Sequence, residues 1–332
     1  MIDLKTQDDS SKIVSVIVTA YNQADTIKQT LDSILSQKCK FPFEILIGDD
    51  CSSDGTLFIC NGYHNRYPEI VRPFFHAENI GVAANFAFCV RQAKGTFIAL
   101  CAADDFWHNS SKLQKQVDYL ESHSGYGLVY TDYDKLNIQT LKISRNYLKT
   151  ENKKIYEGSG LITAFFNGQV PALTLTVMFR KDLFDKYVPA DDYIKYRFPL
   201  EDWPTWLILS KYTKIGYLPF STGTYRFGHE SISNPQFFEK LEIRFAQEQI
   251  MYKYLCNMFP EDLSYSETGY LTYMNNVLLN LAYKKYDFSG AIKYANKLKE
   301  FWSQEIKVKM TKNRFAFNIF ALLKQMKQKL KE

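Results

Sequence analysis

The sequence predicts an α/β fold with a mostly parallel sheet over residues 1–233 and a helical region over 234–332. Three observations carry this. Short β-rich apolar runs alternate with amphipathic stretches from Ile13 to Cys101, a pattern that specifies βαβ units. Those runs are apolar on both faces, as strands covered by helices on each side are. Beyond Asn234 the runs stop and helical periodicity takes over.

Ile13–Thr19 is read as the first strand and Ala20-Tyr21-Asn22 as the loop after it. Ile27, Leu31, Ile34 and Leu35 then fall on one helical face. Phe43–Gly48 is a second strand, ending in Asp49-Asp-Cys-Ser-Ser-Asp-Gly-Thr56, and a helix runs from there toward Tyr67, where Pro68 stops it. Val71–Phe75 is a third strand, Ala83–Ala93 a helix, Thr96–Cys101 a fourth strand and Ser111–Glu121 a helix. Leu128–Asp132 reads as a strand, Gln139–Tyr156 as a basic mobile loop or edge hairpin, Leu161–Phe166 as a short helix and Val170–Arg180 as a strand. Helices follow at Phe237–Met258, Thr268–Lys284 and Ser289–Trp302. Leu281–Ala295 resembles one tetratricopeptide helix pair, but a solenoid needs about three repeats, so local helix packing is expected.

Composition excludes several classes. The chain is 46% hydrophobic and 16% aromatic, which rules against disorder. No apolar run reaches the length of a membrane span, and Met1–Lys12 is too polar for a signal peptide. The six cysteines show no CxxC or zinc spacing and read as reduced thiols of a cytoplasmic protein. The net charge of +5 is uneven: Ile306–Glu332 carries +7, leaving −2 on the body. That argues against a nucleic-acid surface on the main domain. In the tail, Phe315, Ile319, Leu322, Met326 and Leu330 form an apolar stripe beside Lys324, Lys327, Lys329 and Lys331. Such a helix fits an anionic membrane surface or a terminal helix packed on the body.

Polar residues collect where strands end: Thr19, Tyr21 and Asn22; Asp49 and Asp50; Asn79 and Gly81; Asp104 and Asp105. Each could be turn chemistry, but four clusters on one sheet edge point to a shared crevice, where open α/β sheets bind ligands. Two adjacent carboxylates repel unless a cation joins them, and Mg2+ or Mn2+ commonly shares oxygen ligands with substrate phosphates. On these residues alone a metal–diphosphate site and a solvated capping turn both stay open. No GxGxxG follows the first strand and no GxxxxGK[ST] occurs, so dinucleotide and P-loop readings lose their support.

Val14-Ser-Val-Ile-Val-Thr-Ala-Tyr-Asn22, Glu44-Ile-Leu-Ile-Gly-Asp-Asp-Cys-Ser-Ser-Asp-Gly-Thr56, Asn79-Ile-Gly81 and Ala103-Asp-Asp-Phe-Trp107 together resemble family 2 glycosyltransferases. The resemblance covers about Ile13–His229 and is weaker past Asp134. It implies the GT-A fold, a Rossmann-like mostly parallel sheet. It also implies an inverting, metal-dependent transferase acting in surface polysaccharide or lipopolysaccharide synthesis, peripheral on the inner face of the membrane. The donor is a nucleotide sugar, a UDP-sugar by preference, and the acceptor a saccharide or a lipid-linked sugar. By the same resemblance Thr19, Ala20, Tyr21 and Asn22 line the donor nucleotide together with Asn79 and Gly81. Asp50 accepts from a uracil-type imide, Asp104 faces the ribose and Asp105 holds Mn2+ or Mg2+. Ala102 departs from the family, which often has an acid there.

Glu201-Asp-Trp-Pro204 is a second constellation. Its acids could be helix-start acids favoured by the macrodipole. The resemblance instead makes Asp202 the base that takes the acceptor proton, with Glu201 as second choice and Trp203 as an acceptor contact. Asp132 is a further acceptor candidate or a strand-end turn. His229, in Tyr225-Arg-Phe-Gly-His229, resembles a family histidine displaced by one position and would bind metal or diphosphate. Two other functions stay in view: a nucleotidyltransferase, which should carry a basic Gly-rich phosphate loop, and a non-catalytic sugar-nucleotide-binding or scaffold member.

Overall fold

The computed structural model describes residues 13–228, 237–302 and 306–329. The chain divides into two compact units, residues 1–229 and 230–332. The first opens with β1 (Val14–Ala20), α1 (Ile27–Leu35), β2 (Phe43–Asp49), α2 (Thr56–Arg66), β3 (Val71–Phe75), α3 (Val82–Gln92) and β4 (Phe97–Leu100). These elements fall within a residue or two of the sequence reading. β5 (Phe106–Trp107), α4 (Lys112–Ser122), β6 (Tyr126–Asn137), β7 (Ile143–Ser144), α5 (Tyr147–Thr150) and α6 (Ile162–Phe166) follow. The unit closes with β8 (Met178–Arg180), α7 (Lys181–Tyr187), α8 (Ala190–Lys195), α9 (Asp202–Tyr212) and β9 (Lys214–Phe227).

Among the described residues the strands make one nine-stranded sheet in the order β3-β2-β1-β4-β8-β6-β9-β5, with β7 beside β6. β3, β2, β1 and β4 run parallel. β8 is antiparallel to both β4 and β6, and β6 is parallel to β9. The sheet is therefore α/β and mostly parallel. Val14, Val16 and Val18 of β1, Ile45 and Ile47 of β2, and Ile27, Leu31 and Ile34 of α1 are buried in one core. Ile17, Leu46 and Ile98 are buried as well, so the central strands are covered on both faces.

Two segments differ from the sequence reading, and a third takes one of its two alternatives. Val170–Arg180 is not one strand: a 3-10 turn spans Thr174–Thr176, and only Met178–Arg180 pairs with the sheet. Thr176 closes that turn with its own backbone N–H and its hydroxyl, both on Leu173 O. β9 is a 14-residue strand that the sequence hid, because Gly216, Pro219 and Gly223 interrupt its pattern. Residues 139–156 form a hairpin edge, with β7 on β6 and then α5.

The second unit holds α10 (Phe238–Met258), α11 (Glu267–Lys284), α12 (Phe288–Trp302), α13 (Ile306–Lys309) and α14 (Arg314–Lys329). α14 packs through Phe317, Phe320 and Ala321 on the cluster built around Leu278, Ala282 and Tyr283. The expected stripe is thus not the packed one. Phe315 is 76% exposed, and Ile319 and Leu322 are exposed too; the side chains of Met326 and Leu330 lie outside the described residues. No helix among the described residues is long and apolar enough to cross a membrane.

Glu44 ties the first three strands together at the edge away from the site. Its buried carboxylate accepts from Ser15 Oγ (2.7 Å), Lys94 N (2.8 Å) and Arg72 Nη1 (2.6 Å). Burial pushes its pKa up, but the three donors outweigh it and hold the carboxyl below its ordinary value. A lowered folded pKa contributes stability that is present above the unfolded value and lost as pH falls through the folded one. Glu44→Gln should therefore cost about 1–3 kcal/mol at neutral pH. The gap from the parent should narrow in strongly acidic buffer, as urea melts at the two pH values will read.

Candidate active site

The carboxylate turn at the end of β4 is held by backbone contacts from α1. Thr30 Oγ1 donates to Ala103 O (2.9 Å) and Asp105 O (2.6 Å). Ser33 Oγ accepts from Trp107 N (3.0 Å). β9 holds the other side: Arg226 N donates to Asp105 Oδ1 (2.8 Å), and the Arg226 guanidinium donates to Asp104 O and to Gln29 Oε1. That guanidinium also lies 4.7 Å over the Phe106 ring. Arg226 was not singled out from the sequence. Its signal was only an arginine in a stretch whose strand character was hidden.

Asp105 is buried while Asp104 is half-buried. Burial, then the charge of Asp104, pushes the Asp105 carboxyl well above the usual carboxylate range, against the pull of the Arg226 N–H and guanidinium. No group of three or more His, Cys, Asp or Glu gathers as a cation cage among the described residues. The donor set still fits a hard divalent cation, because such ions often bind through one or two carboxylates and complete their shell with substrate phosphates. A cation would also relieve the repulsion that burial imposes on this pair.

The nucleotide-side candidates come together at the ends of β1 and β2. Asp50 N donates to Ala20 O. The Asp50 carboxylate accepts from Ile80 N (2.7 Å) and Gly81 N (3.0 Å), and Asn79 Nδ2 donates to Asp50 O (3.2 Å). Gly81 has φ +86°, a conformation L side chains rarely adopt, and it starts α3. Burial, more than its neighbours, raises the Asp50 carboxyl. Asn22, at φ +53°, accepts from Ser53 N through Oδ1 (2.8 Å) and donates from its own N–H to Ser52 Oγ (2.8 Å). The two loops are thus laced together, with Thr19 half-buried and Tyr21 51% exposed beside them.

The second acid pair starts α9. Asp202 Oδ2 accepts from Thr174 Oγ1 (2.6 Å) and Oδ1 from Trp203 N (2.6 Å). The next residue in that 3-10 turn, Leu175, accepts from Trp107 Nε1 (3.0 Å). Adjacent residues of one turn therefore touch both the 104–107 turn and Asp202, and Asp104 acts electrostatically on Glu201. Glu201 is buried; burial and then the charge of Asp202 push its carboxyl above the usual carboxylate range.

Two residues differ from their expected places. Asp132 is buried with both oxygens on the chain: Oδ1 accepts from Tyr133 N (2.7 Å) and Leu148 N (2.9 Å), and Oδ2 from Lys149 N (3.1 Å). It lies within β6 and clamps the start of α5. Trp203 donates through Nε1 to Phe165 O (2.7 Å) and so joins α9 to α6. His229 lies outside the described residues.

Residues 15–187 match the model of the family described as glycosyl transferase family 2. An uncharacterized protein of Mycobacterium tuberculosis is 43% identical over 110 residues, 33% of this chain and 32% of that one. The Escherichia coli protein named UDP-Glc:alpha-D-GlcNAc-diphosphoundecaprenol beta-1,3-glucosyltransferase WfaP is 34% identical over 122 residues, 37% of this chain and 46% of that one. The matches thus span about a third to a half of these relatives' own length. Among solved structures, S. aureus TarS 1–349 in complex with UDP-GlcNAc matches with a TM-score of 0.57 at 17% identity. That match covers 93% of this chain and 89% of TarS 1–349. At this identity the likeness is one of fold.

Proposed function

This chain belongs to glycosyl transferase family 2, and on that premise we propose that it transfers a sugar from a nucleoside-diphosphate donor, a UDP-sugar by preference, to a saccharide or lipid-linked acceptor with inversion. The setting we assign is bacterial surface polysaccharide synthesis. The observation that carries the reading is the 3-10 turn in which Thr174 reaches Asp202 and Leu175 reaches Trp107. It places a candidate base and a candidate diphosphate site against one short segment. The relative WfaP is named for a UDP-glucose donor and a lipid-diphosphate acceptor, which supports this choice of substrates.

In this reading Asp50 accepts the imide N–H of the base, since a carboxylate with two N–H partners retains acceptor capacity. Thr19, Ala20 and Tyr21 line that base, and Asp104 meets the ribose. Asp105, with Asp104 beside it, would hold Mn2+ or Mg2+, which supplies Lewis-acid neutralisation of the leaving diphosphate. Asp202 takes the acceptor hydroxyl proton as that oxygen bonds to the anomeric carbon. The carbon–phosphate-oxygen bond breaks, and the diphosphate leaves with the electron pair. One displacement inverts the centre once, so one base suffices. Thr174 and the Trp203 N–H fix the Asp202 carboxylate, and Glu201 beside it is the second choice of base.

Asp202→Asn should retain UDP binding and fold while turnover falls about a hundredfold or more. Turnover near the parent's would remove Asp202 as the base. Asp105→Ala should abolish the Mn2+-dependent part of UDP affinity in calorimetry. Equal metal dependence in variant and parent would refute the metal assignment.

We also place the protein at an anionic membrane surface, with the exposed Phe315, Ile319 and Leu322 of α14 and the neighbouring lysines as one contact. Replacing those three apolar residues with Ser should lower co-sedimentation with phosphatidylglycerol vesicles. Unchanged co-sedimentation removes the tail from that role.

A further inference from the structure

The β6–β7 hairpin puts apolar side chains where a water-facing turn has no use for them. Leu141 is 77% exposed, Ile143 46% and Ile138 38%. Around them, residues 139–156 hold five cations, Lys142, Arg145, Lys149, Lys153 and Lys154, against one acid, Glu151. All five cations are exposed. Exposed apolar side chains in a cation-rich segment, of which Arg145 also pairs with Asp134 (3.7 Å), are the chemistry that an anionic lipid surface complements.

The hairpin is braced and does not hang loose. Asn137 Oδ1 accepts from Gln139 N (2.9 Å) and Thr140 N (3.1 Å) and so closes the turn. Ile138 N donates to Phe227 O (3.0 Å), and Gln139 Nε2 donates to Gly228 O (2.5 Å). The return strand is clamped by two buried carboxylates. Asp134 Oδ1 accepts from Asn146 N (2.9 Å) and Ser221 Oγ (2.7 Å), and Asp132 takes the N–H groups of Leu148 and Lys149. Two buried acids are thus spent on fixing a segment whose tip is exposed and apolar. The turn of the hairpin thus bonds to Phe227 and Gly228, next in the chain to Arg226, whose N–H holds Asp105.

We propose that this hairpin is a docking surface for an anionic bilayer, with Ile138, Leu141 and Ile143 entering the headgroup region and the surrounding Lys and Arg side chains meeting lipid phosphates. The proposal deepens the reading above and rests on it in one respect: an acceptor carried by lipid would then be met beside the carboxylate turn. The contact differs from that of the α14 tail and is read at its own position.

The test uses the full chain carrying Leu141→Trp, with vesicles about one third phosphatidylglycerol in phosphatidylcholine, with and without bromine on the acyl chains. Emission beyond that of the parent should shift to the blue and be quenched by brominated anionic vesicles, but not by pure phosphatidylcholine. Leu141→Glu combined with Ile143→Glu should weaken vesicle affinity about tenfold or more and leave UDP affinity unchanged. If Leu141→Trp does not fold, Ile138→Trp reports on the same tip. An introduced indole that stays unquenched on vesicle-bound protein overturns the proposal. So does a double variant that binds vesicles as the parent does, or a parent that binds none. A parent that binds vesicles but no UDP refutes the glycosyltransferase reading instead.

Discussion

The site depends on holding two adjacent carboxylates at the end of β4 in a place where their charges repel. Side-chain pairing alone does not do this. The backbone of residues 103–107 is fastened first, by Thr30 and Ser33 of α1 on one side and by Arg226 of β9 on the other. Asp105 then has a fixed direction, with the Arg226 N–H on Oδ1 and the Arg226 charge nearby, while burial and the charge of Asp104 press its carboxyl upward. A stiff turn that crowds two acids suits a ligand that arrives with its own cation.

The two acid pairs share one arrangement. In each, one member is buried and the other half-buried: Asp105 with Asp104, and Glu201 with Asp202. Burial and then the charge of the neighbour raise the carboxyl of the buried member in both. Asp105 differs in sitting beside an arginine. Environment, more than residue type, sets apart four acids that look alike in sequence.

The first hundred residues were legible because buried parallel strands and amphipathic helices each leave their own period in the sequence. The loops between them were legible for the same reason: once strand ends are known, Asp50, Gly81 and Asp104 must lie on one edge. Past Asp134 the pattern fails for physical causes. β9 carries glycines at 216 and 223 because Tyr119 packs where a side chain at 216 would be and Leu175 and Trp107 where one at 223 would be. Those contacts erase the alternation that marks a strand. Val170–Val177 has strand composition but turns at Leu173, whose carbonyl takes both the N–H and the hydroxyl of Thr176, and no propensity registers those two bonds. Asp132 could be read from sequence as a turn or a site acid because both use the same residue type; its three N–H partners are visible only in the fold.

Arg226 touches α1, the carboxylate turn and the ring of Phe106, and its strand lies between β6 and β5. Arg226 is thus a fastening common to α1, the carboxylate turn and β9. Its contacts couple a turn and a strand that lie more than a hundred residues apart in the chain.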